Sequence, residues 1–161
     1  MLDAVYWVAA LVLVVAGATK VADPDSTEST LRGIGFGVPK GTGRAVGVLE
    51  VVLGVAALLV TGDAVARVVA VLVGLVYLAF AGVVLAAIRG GLDDCGCLGV
   101  RSRAPSRGHA VLNAALGAVA IGAAISGPVD VAGGLASVSV PWAVVVGLGV
   151  AMAAGVVVST V

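Results

Sequence analysis

The chain has 161 residues, of which 61% are hydrophobic and 11% charged, and its mean hydropathy is +1.22. Soluble globular domains carry about 25% charged residues, so this composition indicates an integral membrane protein instead. The formal net charge of zero argues against nucleic acid as a partner, because a protein that follows a phosphate backbone needs an excess of basic residues. Apolar runs and short connectors use up the length, which predicts a single integral membrane domain over residues 1–161.

The first apolar run, residues 4–22, has about the 20 residues that a bilayer-spanning helix requires. A cleaved signal peptide is the alternative, because the Ala-Gly-Ala sequence at residues 16–18 is typical of a cleavage site. The run lacks the basic segment that introduces a signal peptide, and Asp3 is the only early charge, so we predict a mature span. Lys20, near its end, is able to snorkel to the interface, and a boundary anchor is the simplest interpretation of this residue.

The second predicted span, residues 44–60, follows a glycine-rich connector in which residues 26–32 are expected to form a short surface helix. It carries Glu50, which lies about 9 Å inside the start of the span and beyond easy reach of the interface. Gly47 and Gly54 share a helix face with Glu50, and glycines let helices approach closely, so we expect Glu50 to face protein. Its role is either chemical or limited to holding helices together.

The third predicted span, residues 64–88, leads directly to both cysteines of the chain. Tyr77 and Phe80 lie inside this span and are more typical of packing than of function. An Arg-Gly-Gly sequence then ends the helix in the manner of a glycine stop. The sequence therefore places Cys95 and Cys97 right at the membrane surface.

The fourth predicted span, residues 107–126, begins after Ser106, a typical helix N-cap. His109 and Asn113 share a face at its start, and an amide inside the span needs a hydrogen-bond partner. A fifth apolar run, residues 141–158, opens with Pro and Trp, as expected at a membrane interface. The fold class is therefore predicted to be all-α, a multi-pass transmembrane helical bundle with about five spans and a four-helix core, located in the cell membrane.

Alternation of the spans places the first and third connectors on the same side of the membrane, whichever way the protein inserts. Polar residues at four helix ends can therefore converge, since sites in helical bundles are built from side chains on facing helices. The expected group comprises Lys20, Glu50, Cys95, Cys97, His109 and Asn113.

Two considerations give opposite answers for the side of the membrane on which this group lies. Eight of the nine Lys and Arg residues belong to the shared side, which by the positive-inside rule is cytoplasmic. Disulfide chemistry is instead typical of the outer face. The side therefore stays open at this point.

The Cys-Gly-Cys sequence predicts redox chemistry. Two thiols separated by one residue can close a small, strained ring, and strained disulfides exchange more readily than structural ones. Two other interpretations stay open: metal binding by Cys95, Cys97 and His109, because soft ligands suit copper(I) or zinc, and a purely structural disulfide.

Four motifs in chain order suggest a family. They are Ala16-Gly17-Ala18-Thr19-Lys20 at the end of the first span, Glu50-Val51-Val52-Leu53-Gly54 in the second, Cys95-Gly96-Cys97-Leu98-Gly99 after the third, and Asn113 in the fourth. Their order resembles the MauE family of methylamine-utilisation membrane proteins, within the wider DoxX-like group. The chain departs from the family pattern at Val21, where leucine is usual, and at Leu98, where an aromatic residue is common.

The resemblance implies thiol redox chemistry and disulfide-dependent maturation of partner proteins, often beside thioredoxin-like proteins, and the related group includes quinone-linked enzymes. We therefore predict a membrane-embedded thiol-disulfide oxidoreductase with Cys95 and Cys97 as catalytic residues. Lys20, Glu50, His109 and Asn113 are expected to support them. The expected partners are membrane lipid and a thioredoxin-like or other thiol/disulfide protein, with quinone as the candidate cofactor. The alternatives are a non-catalytic accessory subunit for a redox partner and a metal-handling membrane protein.

Overall fold

The computed structural model of the chain describes residues 2–60, 63–93 and 104–127, and these ranges form five α-helices without any strand. Four of the helices are long and apolar enough to cross a membrane, which makes this a multi-pass membrane protein. The first four predicted spans are confirmed to within two residues at each end. The fifth, residues 141–158, lies outside the described residues. The helices are α1 (Leu2–Ala22), α2 (Asp25–Gly33), α3 (Thr42–Leu59), α4 (Asp63–Arg89) and α5 (Arg107–Ser126).

Helices α1 and α3 cross at a pair of glycines. A Cβ atom added to Gly17 would lie 2.5 Å from the carbonyl oxygen of Gly47, and one added to Gly47 would lie 2.6 Å from the carbonyl oxygen of Gly17. The two backbones therefore touch, as small residues permit between membrane helices. Further along, Gly54 of α3 packs against Ala10 and Val14 of α1, so the two helices run antiparallel.

Helices α4 and α5 repeat this arrangement with Gly74 and Gly117. A Cβ atom on either glycine would lie 3.0 Å from the carbonyl oxygen of the other. The bundle thus consists of two closely packed antiparallel pairs, α1 with α3 and α4 with α5. Tyr77 of α4 joins the pairs, because its buried hydroxyl donates a hydrogen bond of 2.6 Å to the carbonyl oxygen of Ala9 in α1.

The core between the two pairs receives side chains from all four long helices. The largest fully buried side chains are Tyr6, Leu13 and Lys20 of α1, Glu50 of α3, and Val73 and Val84 of α4. The opposite helix faces expose valine and leucine, as expected of surfaces that meet lipid. Two of the largest buried side chains are therefore charged.

Helix α2 confirms the short helix predicted over residues 26–32, but it is docked rather than merely lying on the surface. The buried carboxylate of Glu28 accepts hydrogen bonds from the backbone N–H groups of Gly41, at 2.7 Å, and Gly43, at 3.3 Å, and from the Arg32 guanidinium at 2.9 Å. Burial alone would raise the pKa of Glu28, but these hydrogen bonds and the charge of Arg32 lower it below the usual 4.5. Glu28 thereby caps the N-terminus of α3, where Gly41 adopts a left-handed conformation (φ +92°).

Candidate functional site

The centre of the candidate site is a buried ion pair between α1 and α3. The Lys20 Nζ atom lies 2.9 Å from each carboxylate oxygen of Glu50, and both side chains are 0% exposed. The expectation that Glu50 faces protein is therefore met. Because each charge is taken out of water, the contact between them offsets part of the cost of burial.

The glycine crossing explains why these two side chains meet. Lys20 lies three residues after Gly17, and Glu50 lies three residues after Gly47. Because the helices are antiparallel, the two Cα atoms are displaced along the helix axes by roughly 9 Å. Side chains lean toward the N-terminus of their own helix, and in an antiparallel pair this direction carries Lys20 and Glu50 toward each other. The result is a bidentate contact between the ammonium group and the carboxylate.

Helix α4 completes the surroundings of the ion pair with two aromatic residues. The Lys20 Nζ atom lies 4.9 Å from the centre of the Phe80 ring, within the range of a cation–π interaction. Tyr77 is close enough to Glu50 for the two to interact electrostatically. From the sequence, both residues are more typical of packing than of function. Their spacing of three places them on one helix face beside Ala81 and Val84, and only the register of α4 against α1 reveals their contact with the charges.

His109 and Asn113 lie at the start of α5 and bond within their own helix. The predicted cap is present, since the Ser106 hydroxyl accepts a hydrogen bond of 3.2 Å from the backbone N–H of His109. The Asn113 amide donates to the His109 carbonyl oxygen at 2.8 Å, which meets the need for a partner. In the part of the chain that the structure describes, no hydrogen bond connects either residue to Lys20 or Glu50. Of the polar residues expected to converge, the structure thus joins Lys20 with Glu50 and leaves His109 and Asn113 as a separate local group.

Cys95 and Cys97 lie outside the described residues, but the chain just before them is placed. A Cβ atom on Gly33 would lie 3.0 Å from the Leu92 side chain, so the segment after α4 packs on α2. This contact confirms that the connector between α1 and α3 and the connector after α4 share one side of the membrane. Cys95 follows Leu92 by three positions, and three residues of extended chain span at most about 11 Å.

A family model described as methylamine utilisation protein MauE matches residues 1–127, a range that includes the four long helices and both cysteines. The chain belongs to the MauE family. The resemblance seen in the sequence motifs is thereby confirmed. No curated protein and no solved structure matches the chain.

In this MauE family member, the matched region ends at residue 127, so the predicted fifth span lies beyond it. The matched region contains the ion pair, its aromatic neighbours and the two cysteines that the sequence predicts to be redox-active. Chemically, the Glu50 carboxylate is a group that can accept a proton inside the bundle. A dithiol on the same side of the membrane is a source of protons when it is oxidised.

Proposed function

We propose that this MauE family member is a membrane-embedded thiol-disulfide redox protein that acts in methylamine utilisation. Cys95 and Cys97 exchange electrons with a partner protein and so support its disulfide-dependent maturation. The family description supports the process, and the Cys-Gly-Cys sequence supports the chemistry. The observation that carries the proposal is the contact between Leu92 and Gly33, because it brings the start of the cysteine segment to the side where α1 ends with Lys20.

The exchange consists of two nucleophilic substitutions at sulfur. In the direction that oxidises this protein and reduces its partner, one thiolate of the protein attacks a disulfide of the partner. The attack forms a mixed disulfide and releases one partner thiolate. The second thiolate of the protein then attacks the mixed disulfide, closes the Cys95–Cys97 bond and releases the other partner thiolate. Two electrons pass to the partner, whose thiolates take up the two protons lost by the protein. When a disulfide forms in the partner, the same two substitutions run in reverse: the partner loses two electrons and two protons, and the Cys95–Cys97 disulfide becomes a dithiol. A quinone that takes two electrons and two protons from this dithiol re-forms the Cys95–Cys97 disulfide and becomes hydroquinone.

Glu50 is proposed to hold a proton during this cycle, and Lys20 to compensate its charge at other times. The support is the burial of the pair on the cysteine side of the bundle, since ionisable groups inside membranes are expensive to keep and mark functional sites. Glu50→Gln keeps the shape and removes the titratable group. This variant is expected to insert normally and to cycle its thiols more slowly, measured by differential alkylation after a pulse of oxidant.

The proposal is tested by trapping the mixed disulfide. Cys97→Ser and Cys95→Ser each leave one thiol, so one of them should accumulate a covalent adduct with the partner, resolved by non-reducing electrophoresis and identified by mass spectrometry. The variant with both cysteines changed is the matched control and should give no adduct. A redox-active thiol protein as the adduct supports the proposal. Thiols that stay unreactive in the wild-type protein under oxidant and reductant contradict it, and a stable adduct without turnover indicates the accessory function.

A metal-handling function is the second candidate, and one observation favours it. The Nδ1 atom of His109 is buried and has no hydrogen-bond partner among the described residues, as expected of an imidazole nitrogen available to a ligand. His109 would join Cys95 and Cys97 as a soft ligand set. Titration of the purified protein and of the His109→Ala variant with copper(I) or zinc tests this candidate. Tight metal binding that depends on His109 and blocks alkylation of both thiols would favour metal handling over redox exchange.

A further inference from the structure

Helix α2 lies across the end of the bundle at which α1 ends and α3 begins. Three contacts hold it there. A Cβ atom on Gly43 of α3 would lie 3.0 Å from the Cβ atom of Pro24, just before α2. The Glu28 carboxylate bonds to backbone N–H groups at the start of α3, and Gly33 packs on Leu92 after α4. Helix α2 therefore covers this end of the bundle from α1 to α4.

The face of α2 that is buried against the protein carries hydroxyl groups. Ser26, Thr27 and Thr30 are at most 6% exposed, and their spacing places them on one helix face. Buried hydroxyl groups need hydrogen-bond partners, so an apolar face would cover the bundle at a lower free-energy cost. A hydroxyl group both donates and accepts hydrogen bonds, which allows it to pass a proton on. Glu50 lies about 10 Å further along α3 than Gly43, and its side chain leans back toward this end.

A cavity of about 420 Å³ opens at the junction of α1 and α2. Among the described residues, its lining consists of Asp23, Asp25, Ser26 and Ser29. Ser26 is buried, whereas the other three are exposed, so the cavity leads inward from the surface. It has room for several water molecules, and its polar lining supplies their hydrogen-bond partners. Ser26 thus belongs both to the cavity and to the hydroxyl-bearing face of α2.

Glu50 is fully buried, so a proton that it holds during the thiol cycle needs a path to and from water. We infer that the cavity and the Ser26 hydroxyl group form this path. On release, the proton leaves the Glu50 carboxyl group through hydrogen-bonded hydroxyl groups and water, and a water molecule in the cavity accepts it. On uptake, the same transfers run in reverse. The inference rests on the proposed function of Glu50 and adds the residues that connect it to water.

Two substitutions of nearly equal shape test the path. Ser26→Thr and Ser26→Val add similar bulk, but only threonine keeps a hydroxyl group. In the full chain in membranes, disulfide formation between Cys95 and Cys97 should slow by about 100-fold in Ser26→Val, the lower end of what a positioned proton-transfer group contributes. Ser26→Thr should stay near the wild-type rate. The solvent deuterium isotope effect should rise in Ser26→Val alone, a change that loss of folded protein does not cause. Ser126→Val, at an exposed position at the other end of the bundle, is the control and should change neither quantity.

The double variant Ser26→Val/Glu50→Gln shows whether the path leads to Glu50. Its rate should equal that of Glu50→Gln alone, because a path without its proton acceptor has nothing to supply. Equal rates for Ser26→Thr and Ser26→Val, or losses that add up in the double variant, overturn the path and leave the proposed function intact. Thiols that never cycle in the unmodified protein overturn the proposed function, and the path with it.

Discussion

Replacement of the two charged residues, singly and together, separates the structural part of the ion pair from its chemical part. Glu50→Leu leaves the Lys20 ammonium buried without the carboxylate, and Lys20→Met leaves the carboxylate buried without the ammonium. Both side chains are 0% exposed, and the contact is bidentate at 2.9 Å, so the full penalty for breaking a buried pair applies. Each single change is expected to reduce the free energy of unfolding by about 3–5 kcal/mol, which is about 150- to 5,000-fold in the unfolding constant.

The double variant Lys20→Met/Glu50→Leu should recover most of this loss. Apolar side chains of similar volume that replace a buried ion pair are commonly neutral or stabilising, because no charge has to be desolvated. The assay is unfolding of the purified protein in mixed micelles, followed by the helical circular dichroism signal for the four proteins in parallel. A double-mutant cycle then gives the coupling between the two residues.

The outcome for activity is predicted to be the opposite of the outcome for stability. The double variant folds but lacks the group proposed to hold a proton, so thiol cycling should be slow despite restored stability. If the losses in stability of the single variants simply add up in the double variant, the two side chains are not coupled and the geometry of the pair is refuted. If the double variant cycles its thiols at the wild-type rate, the pair only holds the helices together.

Three further predictions concern the helix crossing, the α3 cap and the membrane side. Gly17→Ala should separate α1 from α3 and destabilise the bundle by about 1–3 kcal/mol, whereas Gly82→Ala, where an added Cβ meets nothing within 4 Å, should have little effect in the same unfolding assay. Because the pKa of Glu28 is lowered, its stabilisation is complete above pH 4.5 and is lost as the pH falls through the lower folded value, and Glu28→Gln should remove this dependence from acid unfolding curves. Impermeant maleimide applied to intact cells should label reduced Cys95 and Cys97, because the proposed redox function favours the outer face. If both thiols are labelled only after permeabilisation, they face the cytoplasm, as the distribution of Lys and Arg indicates.

The span positions and the ion pair could be predicted from the sequence because both depend on simple physical rules. A run of apolar residues of the right length must cross the bilayer as a helix, and alternation of spans fixes which connectors share a side. A carboxylate in the middle of such a run must find a partner inside the protein. Lys20 was the basic residue at the matching helix end, and the glycines beside Glu50 indicated the face that packs.

The contacts that depend on the register between helices could not be predicted. Phe80 is one apolar residue among many in its span, and nothing in the local sequence distinguishes a ring over an ammonium group from a ring in the core. Glu28 caps α3, which begins 14 residues later in the chain. Sequence rules for helix caps consider the residue just before the helix, which is Gly41 here and has no side chain that could accept a hydrogen bond. The sequence placed His109 and Asn113 on one helix face, but the Asn113 amide donates to the His109 carbonyl oxygen one turn away in α5, a local bond that the side-chain pattern does not distinguish from a bond to another helix.

The bidentate contact between Lys20 and Glu50 also has a consequence for how the protein enters the membrane. Lys20 is synthesised 30 residues before Glu50, so α1 reaches the bilayer before the carboxylate with which its cation forms the buried ion pair. Until then, the long lysine side chain can stay hydrated by reaching back to the interface from the end of the helix. Glu50 arrives in the middle of its span and has no such option, because its side chain is short. Burial of both charges is therefore a joint event, in which α1 reaches its final depth only when α3 is beside it.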